Sequence, residues 1–316
     1  MRACAVALLL AVSATHVAAQ NYPTRPVTLI VSNAPGGFMD VLARLLQRPL
    51  QALWKQQVVV DYKPGAGTAI GTAYTAKATP DGYTIGVVAT PHVINPAMRK
   101  LPFDTVRDLS GIAMIGTSSS IITATPSFPA STFAEVLALI RKNPGKYSYA
   151  SPGTGSSQHL AMELLKQRAG LDLLHVPFKG SAPAYPEVFS GRIELLIDPL
   201  FPTLNHVKAG KLKAIALTGS QRPAVAPDIA LIADLFPGFN VPSLFGLVVA
   251  SGTPREVVRE IHADVSTVLR APETQAKLAE VGIDPHRATP EEFDALIKSE
   301  VERWIDFVRT SRISTQ

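Results

Sequence analysis

The chain has 316 residues, of which 47% are hydrophobic and 17% charged, with a formal charge of +5 and a sequence pI near 9.3. That length fits about two domains and allows a sizeable core. The basic residues are dispersed, with no Lys/Arg run and no interleaved aromatics, which argues against nucleic acid as a partner and leaves a solvated surface or the steering of anions.

Arg2 precedes an apolar run from Ala3 to Val12, and small residues then lead to Val17-Ala18-Ala19. This is the pattern of a secretory signal peptide over 1–19, cleaved after Ala19, which predicts a periplasmic protein. The run is too short for a permanent membrane helix. The only cysteine, Cys4, falls inside it and is misplaced for lipid attachment. The mature chain then has no thiol, so disulfides, structural zinc and cysteine catalysis are excluded.

Val27 to Ser32 reads as a strand, followed by Pro35-Gly36-Gly37 and a helical pattern from Phe38 through Leu53. Leu42, Leu45, Leu46 and Leu50 share one face of that helix, and Pro49 is expected to kink or interrupt it. Val58 to Val60 and Tyr83 to Val88 read as further strands. The βαβ rhythm with near-continuous apolar strands predicts an α/β fold with parallel sheets covered by helices. Capping boxes are expected at Thr132 with Glu135, Thr253 with Glu256 and Thr289 with Glu292. Gly170 closes a helix beginning near Ser157. After a strand from Leu244 to Val249 come three helices without strands of their own, which must return to the first half. The expected organisation is a discontinuous first lobe, 22–122 with 243–316, and an inserted second lobe, 123–242. Ligands of open α/β sheets sit beyond the carboxyl ends of the strands, so two facing lobes imply a cleft site.

Two strand-to-helix loops could carry that site. One is Asn33 to Asp40; the other is Ser151 to Ser157, following a strand at Tyr147 to Ala150. Each places free backbone N–H groups at the positive end of a helix, where an anion can approach over glycine. Thr154, Ser156 and Ser157 add hydroxyls. Asp40 falls in a first helical turn, where it can accept from the Gly37 N–H; a carboxylate aimed at an incoming anion would repel it, so loop rigidification is its expected role. Asp198 follows an apolar strand and either faces the cleft or finishes a turn.

Enzyme motifs are absent. Gly65-Ala66-Gly67 continues to Gly71, the wrong spacing for a dinucleotide fingerprint, and no phosphate-binding loop ends in Lys-Ser or Lys-Thr. Ser156 and Ser157 do not sit in a nucleophile elbow. His159 could pair with either serine in an exported hydrolase, but reads better as a surface or wall residue. The histidines lack metal-ligand spacing, so neither metal nor cofactor is expected.

Longer segments carry a resemblance. Pro35-Gly36-Gly37 with Asp40, Pro64-Gly65-Ala66-Gly67 with Ile70-Gly71, Pro80-Asp81-Gly82-Tyr83 and Ile94-Asn95-Pro96 stand in order. Pro144-Gly145-Lys146, His175-Val176-Pro177-Phe178-Lys179-Gly180, Ala209-Gly210-Lys211-Leu212 and Phe245-Gly246-Leu247 follow. From Tyr22 to the C-terminal helices the chain resembles the solute receptors of tripartite tricarboxylate transporters, often called Bug receptors. The resemblance implies a type II periplasmic binding-protein fold and an organic acid held by amides, hydroxyls and waters. It assigns the ligand to Gly37, Phe38, Met39 and Asp40 in the first loop, to Ser151, Thr154, Ser156 and Ser157 in the second, and to Thr90 and Asp198 along the cleft; Lys179 matches a family lysine. The implied protein is a monomer that delivers its acid to membrane permease subunits, or alternatively to a sensor kinase. Asn33-Ala34, Phe38-Met39, the ring of His92 after Thr90-Pro91, and Leu244 depart from the family pattern. A bulkier, more apolar wall would favour an aromatic or longer-chain acid over a small dicarboxylate.

Overall fold

The computed structural model describes residues 22–178 and 180–311, so the expected signal peptide and Lys179 lie outside the described residues. The chain opens with β1 (Val27–Val31), α1 (Phe38–Trp54), β2 (Val58–Tyr62), α2 (Ala69–Ala76), β3 (Thr84–Ala89), α3 (Pro91–Met98) and β4 (Leu109–Ser118). A second set follows: β5 (Ser120–Ala124), α4 (Phe133–Lys142), β6 (Ser148–Ser151), α5 (Ser157–Ala169), β7 (Leu174–Pro177), α6 (Tyr185–Phe189), β8 (Leu195–Pro199), α7 (Leu200–Lys208) and β9 (Lys213–Leu217). Then come β10 (Ser243–Ala250), α8 (Arg255–Arg270), α9 (Pro272–Glu280), β11 (Asp284–Pro285) and α10 (Pro290–Thr310).

Two sheets result, ordered β11-β4-β10-β3-β1-β2 and β7-β6-β8-β5-β9. They are mixed rather than parallel. β1 pairs in parallel with β2 and β3, and β6 with β7 and β8. β10, however, runs antiparallel to β3 and β4, and β5 antiparallel to β8 and β9. β5 and β10 are the strands on which the chain arrives from the other sheet. β4 ends at Ser118 and β5 begins at Ser120, so the chain enters the second sheet from the cleft side and must run against its neighbours. β10 does the same on its return. The carboxyl ends of the parallel strands and the amino ends of β5 and β10 therefore meet at one place.

α8 packs against α1 and β4, and α10 against α3 and β4, so the last helices cover the first sheet. They do bring a strand: the short β11 pairs with β4 at Gly116 and Thr117. α1 runs unbroken through Pro49, because Leu42, Leu46, Leu50 and Trp54 are buried along one stripe that spans the proline. Each fully buried leucine there contributes about 1.5–3 kcal/mol. The capping boxes at Thr132 and Thr289 form, and Gly170 closes α5 in the left-handed conformation. The one expected at Thr253 does not: α8 starts at Arg255, and the Thr253 hydroxyl donates to the Ala250 carbonyl instead.

Candidate functional site

A cavity of about 170 Å³ lies where the two sheets face each other. Phe38 and Met39 reach it from the start of α1, and Ser156, Ser157 and Gln158 from the start of α5. Thr90 and Pro91 enter after β3, Ser118 and Ser243 from the two crossing segments, and Pro199 and Phe201 after β8. Larger hollows exist, such as one of about 700 Å³ behind the crossing strands. That rear hollow is not reached by the starts of α1 and α5, so the smaller cavity is the candidate site.

The first loop is held by its own carboxylate. Asp40 Oδ2 accepts from the Gly36 N–H at 2.8 Å, and Oδ1 accepts from the Tyr62 hydroxyl at 2.7 Å and lies 2.8 Å from Arg44 Nε. The amide is that of Gly36, not Gly37 as expected, because the Gly37 N–H turns back to the Ala34 carbonyl. Burial works to raise the Asp40 pKa, but these donors and the Arg44 charge outweigh it and hold the carboxyl below its usual range. Asp40 and Gly37 stand outside the cavity lining. Among the described residues no group claims the Phe38 or Met39 N–H, so the helix start keeps donors free.

The second loop is wired to the crossings. Ser156 caps α5, accepting from the His159 N–H at 3.1 Å while its own hydroxyl donates to the Gly153 carbonyl at 2.7 Å. Ser157 Oγ lies 3.3 Å from Ser243 Oγ and donates to Gln158 Oε1, and Gln158 Nε2 donates to Ser120 Oγ at 2.9 Å. The start of α5 thus touches the first residue of both β5 and β10. Thr90 adds a third tie, its Oγ1 accepting from the Leu244 N–H at 2.8 Å. The Ser157 and Gln158 N–H groups are unclaimed among the described residues.

Other expected residues stand elsewhere. Thr154 does not line the cavity. Ser151 is fully buried beneath the loop, its Oγ 2.7 Å from His175 Nε2 and accepting from the Gly153 N–H. Asp198 is also fully buried and accepts from Ser181, Tyr185 and Thr203, so it supports the β8 end rather than facing the cavity. Burial pushes its carboxyl up to about 6 against the pull of those three donors. His92 packs into the fold instead of the cleft, with both ring nitrogens unpartnered among the described residues, and burial pushes its pKa down to about 4. Leu244 lines the rear hollow.

His159 is buried rather than on the surface. Its Nδ1 accepts from the Gly155 N–H and its ring stacks on His175, so among the described residues it makes no side-chain bond to Ser156 or Ser157. The pairing of His159 with Ser156 or Ser157 expected of a hydrolase is therefore not seen among the described residues; the serine–histidine contact that does form, Ser151 with His175, joins a fully buried serine outside the cavity lining. Among the described residues no His, Cys, Asp and Glu group suits a metal.

Sequence reasoning missed Ser118, Ser243, Gln158, Phe201 and the ring of Phe245, which pairs with Phe38 at 5.0 Å. Their signal was topological: Ser118 and Ser243 stand at the two crossings, Phe245 within β10 and Phe201 just past β8, and only the strand order brings them to the α5 start where Gln158 stands.

Residues 42–312 match the model of the tripartite tricarboxylate transporter family receptor. A protein from the tcbD–tcbE intergenic region of a Pseudomonas species is 34% identical over 313 residues, 98% of this chain and 93% of that one. A Rhodopseudomonas palustris protein solved with adipate superposes with a TM-score of 0.84 at 30% identity, covering 94% of this chain and all of the other. The periplasmic binding protein BugD superposes with a TM-score of 0.80 at 30% identity, covering 93% of this chain and all of the other. With matches spanning nearly the whole chain and both lobes, this protein belongs to the tripartite tricarboxylate transporter receptor family, the Bug-type solute receptors.

Proposed function

We propose that this chain is an exported receptor that closes around a small organic acid and hands it to the membrane permease subunits of a tripartite transporter. The observation that carries the reading is the meeting of two helix starts, one from each sheet, at a single uncharged cavity. Free amides at Phe38, Met39, Ser157 and Gln158 suit a carboxylate, and hydroxyls beside them complete its shell. The relative solved with adipate is consistent with an acid in that place.

Binding, closure and handover are the whole mechanism, with no bond made or broken. A ligand can drive closure only through contacts made better in the closed state. Contacts from α1 on one side and α5 on the other meet that condition. The ties from Ser157 to Ser243 and from Gln158 to Ser120 connect the ligand loop to both crossings, so the hinge is the segment that bends. The signal peptide over 1–19 exports the chain, which acts as a monomer with lobes 22–122 plus 243–316 and 123–242.

A thermal-shift screen of mono-, di- and tricarboxylates and aromatic acids tests the reading. An acid at about 100 times its Kd adds roughly 2.7 kcal/mol of stability. Stabilisation by sugars or cations, with none by any organic acid, would overturn it.

A further inference from the structure

The cavity is not symmetric between its two helix starts. α5 has no acidic residue in its first turn, whereas α1 carries Asp40 there. Arg44 balances that charge, but it stands a turn farther along the helix and is exposed. Hydroxyls and an amide gather at the α5 end: Ser156, Ser157, Gln158, and the crossing residues Ser118 and Ser243. On the α1 side Phe38 packs against Phe245, ring centroids 5.0 Å apart and planes inclined 51°, with Met39 beside them and Asn33, Thr68 and Thr90 as the polar groups there; Pro199 and Phe201 line the cavity from the end of β8.

Charge and size narrow the ligand further. Among the described residues none of the side chains lining the cavity is charged. Arg99 is not among the lining residues; its Nη1 donates to the Ala66 carbonyl, while its Nε is buried without a partner among the described residues. A volume of about 170 Å³ equals roughly six waters of liquid, enough for one compact acid. A second carboxylate would find the Phe38 and Met39 amides at the α1 end, but it would rest against the phenyl pair with Asp40 in the same helical turn and, among the described residues, no charged partner in the lining, a costlier place than the α5 end.

Resting on the receptor reading above, we infer that the ligand is a monocarboxylate with a compact apolar body, best a phenyl ring. Its carboxylate sits at the α5 start on the Ser157 and Gln158 amides, beside the Ser156 and Ser157 hydroxyls, and its body lies in the slot of Phe38, Phe245 and Phe201. Offset contacts between tilted rings favour an aromatic body over a flexible chain of equal size. Phe38 and Phe201 are then specificity-determining residues.

The test is calorimetric titration of the exported chain with benzoate, hexanoate, malate and adipate. Benzoate is expected to bind at least tenfold more tightly than malate or adipate, with hexanoate between them. Phe201→Ala, at an exposed position, should cut benzoate affinity about tenfold while leaving the melting temperature of the free protein in place. Phe38→Ser should do the same, and circular dichroism checks that it folds. Tighter binding of malate or adipate than of benzoate overturns this inference and leaves the receptor reading intact, as does an unchanged benzoate affinity in both variants. Binding of no acid at all overturns the receptor reading, and this inference with it.

Discussion

Tyr62 donates its phenolic hydrogen to Asp40 across 2.7 Å, tying the end of β2 to the first turn of α1. The same carboxylate holds Gly36, so one residue fixes both the loop and the helix entry. Tyr62→Phe should cost about 1 kcal/mol of stability, a single charge-assisted bond, while Asp40→Ala should cost about 2–3 kcal/mol because it frees Gly36 and Tyr62 together. Urea denaturation reads both. Acid binding should weaken in the same order; tighter binding by Asp40→Ala would show instead that the carboxylate repels ligand.

Ser157 stands at the helix start that faces the cavity and also touches Ser243. Ser157→Ala should lower affinity for any bound acid about tenfold, the equivalent of about 1.4 kcal/mol for one hydrogen bond to a charged group. Titration calorimetry on a folded variant checks it, and an unchanged Kd would remove Ser157 from the site.

Stability should fall as pH drops from about 6.5 to 4. The unfolded His92 and His159 take up protons from about pH 6.5 downward, while burial keeps the folded rings neutral to about 4. Unfolding then binds protons, and stability is lost with acid across that window. Asp198, pushed up to about 6, acts in the opposite sense: its folded carboxyl is protonated before the unfolded one, which adds stability as pH falls from 6 to 4. Burial pushes His175 down further, to about 3, so three histidines act against one carboxyl and outweigh it. Melting temperatures from pH 7 to 4 test the sign. His92→Leu should flatten the fall and raise stability by about 1–2 kcal/mol, since it removes two unpartnered buried nitrogens.

Two loop glycines should respond differently to alanine. Gly155 has φ +78°, where a side chain is strained, and an added Cβ would lie 3.8 Å from Met98 and 3.9 Å from Arg99. Gly155→Ala should therefore cost about 1–2 kcal/mol and weaken binding. Gly37 has φ −79°, so Gly37→Ala carries no such strain; alanine is only a poorer N-cap for α1, and the change should cost less than about 1 kcal/mol. Equal losses in the two variants would contradict the backbone argument.

Much of this site was legible locally. Pro35-Gly36-Gly37 before an apolar-striped helix, and Gly153 to Ser157 before another, gave the two helix starts because caps and glycine turns depend on neighbouring residues. The loop-holding role of Asp40 followed from its place in a first turn. Ser151, Thr154 and Asp198 were harder. Each follows a strand in sequence, but whether a strand-end side chain faces the cleft or turns beneath the loop depends on groups far away, such as His175 for Ser151 and Tyr185 for Asp198.

The same division runs through the whole chain. The sequence by itself determined the starts of α1, α4, α5 and α10, most of the strands, the absence of a recognised catalytic motif and the family to which the chain belongs, because these are written in short spacings and turn chemistry. Tertiary structure alone decided that β5 and β10 run against their sheets, since strand direction depends on the side from which the chain arrives. It also decided that Phe38 meets Phe245, residues brought together only when β10 inserts beside β3. Which end of the cavity is apolar is a property of that long-range pairing, and no local pattern encodes it.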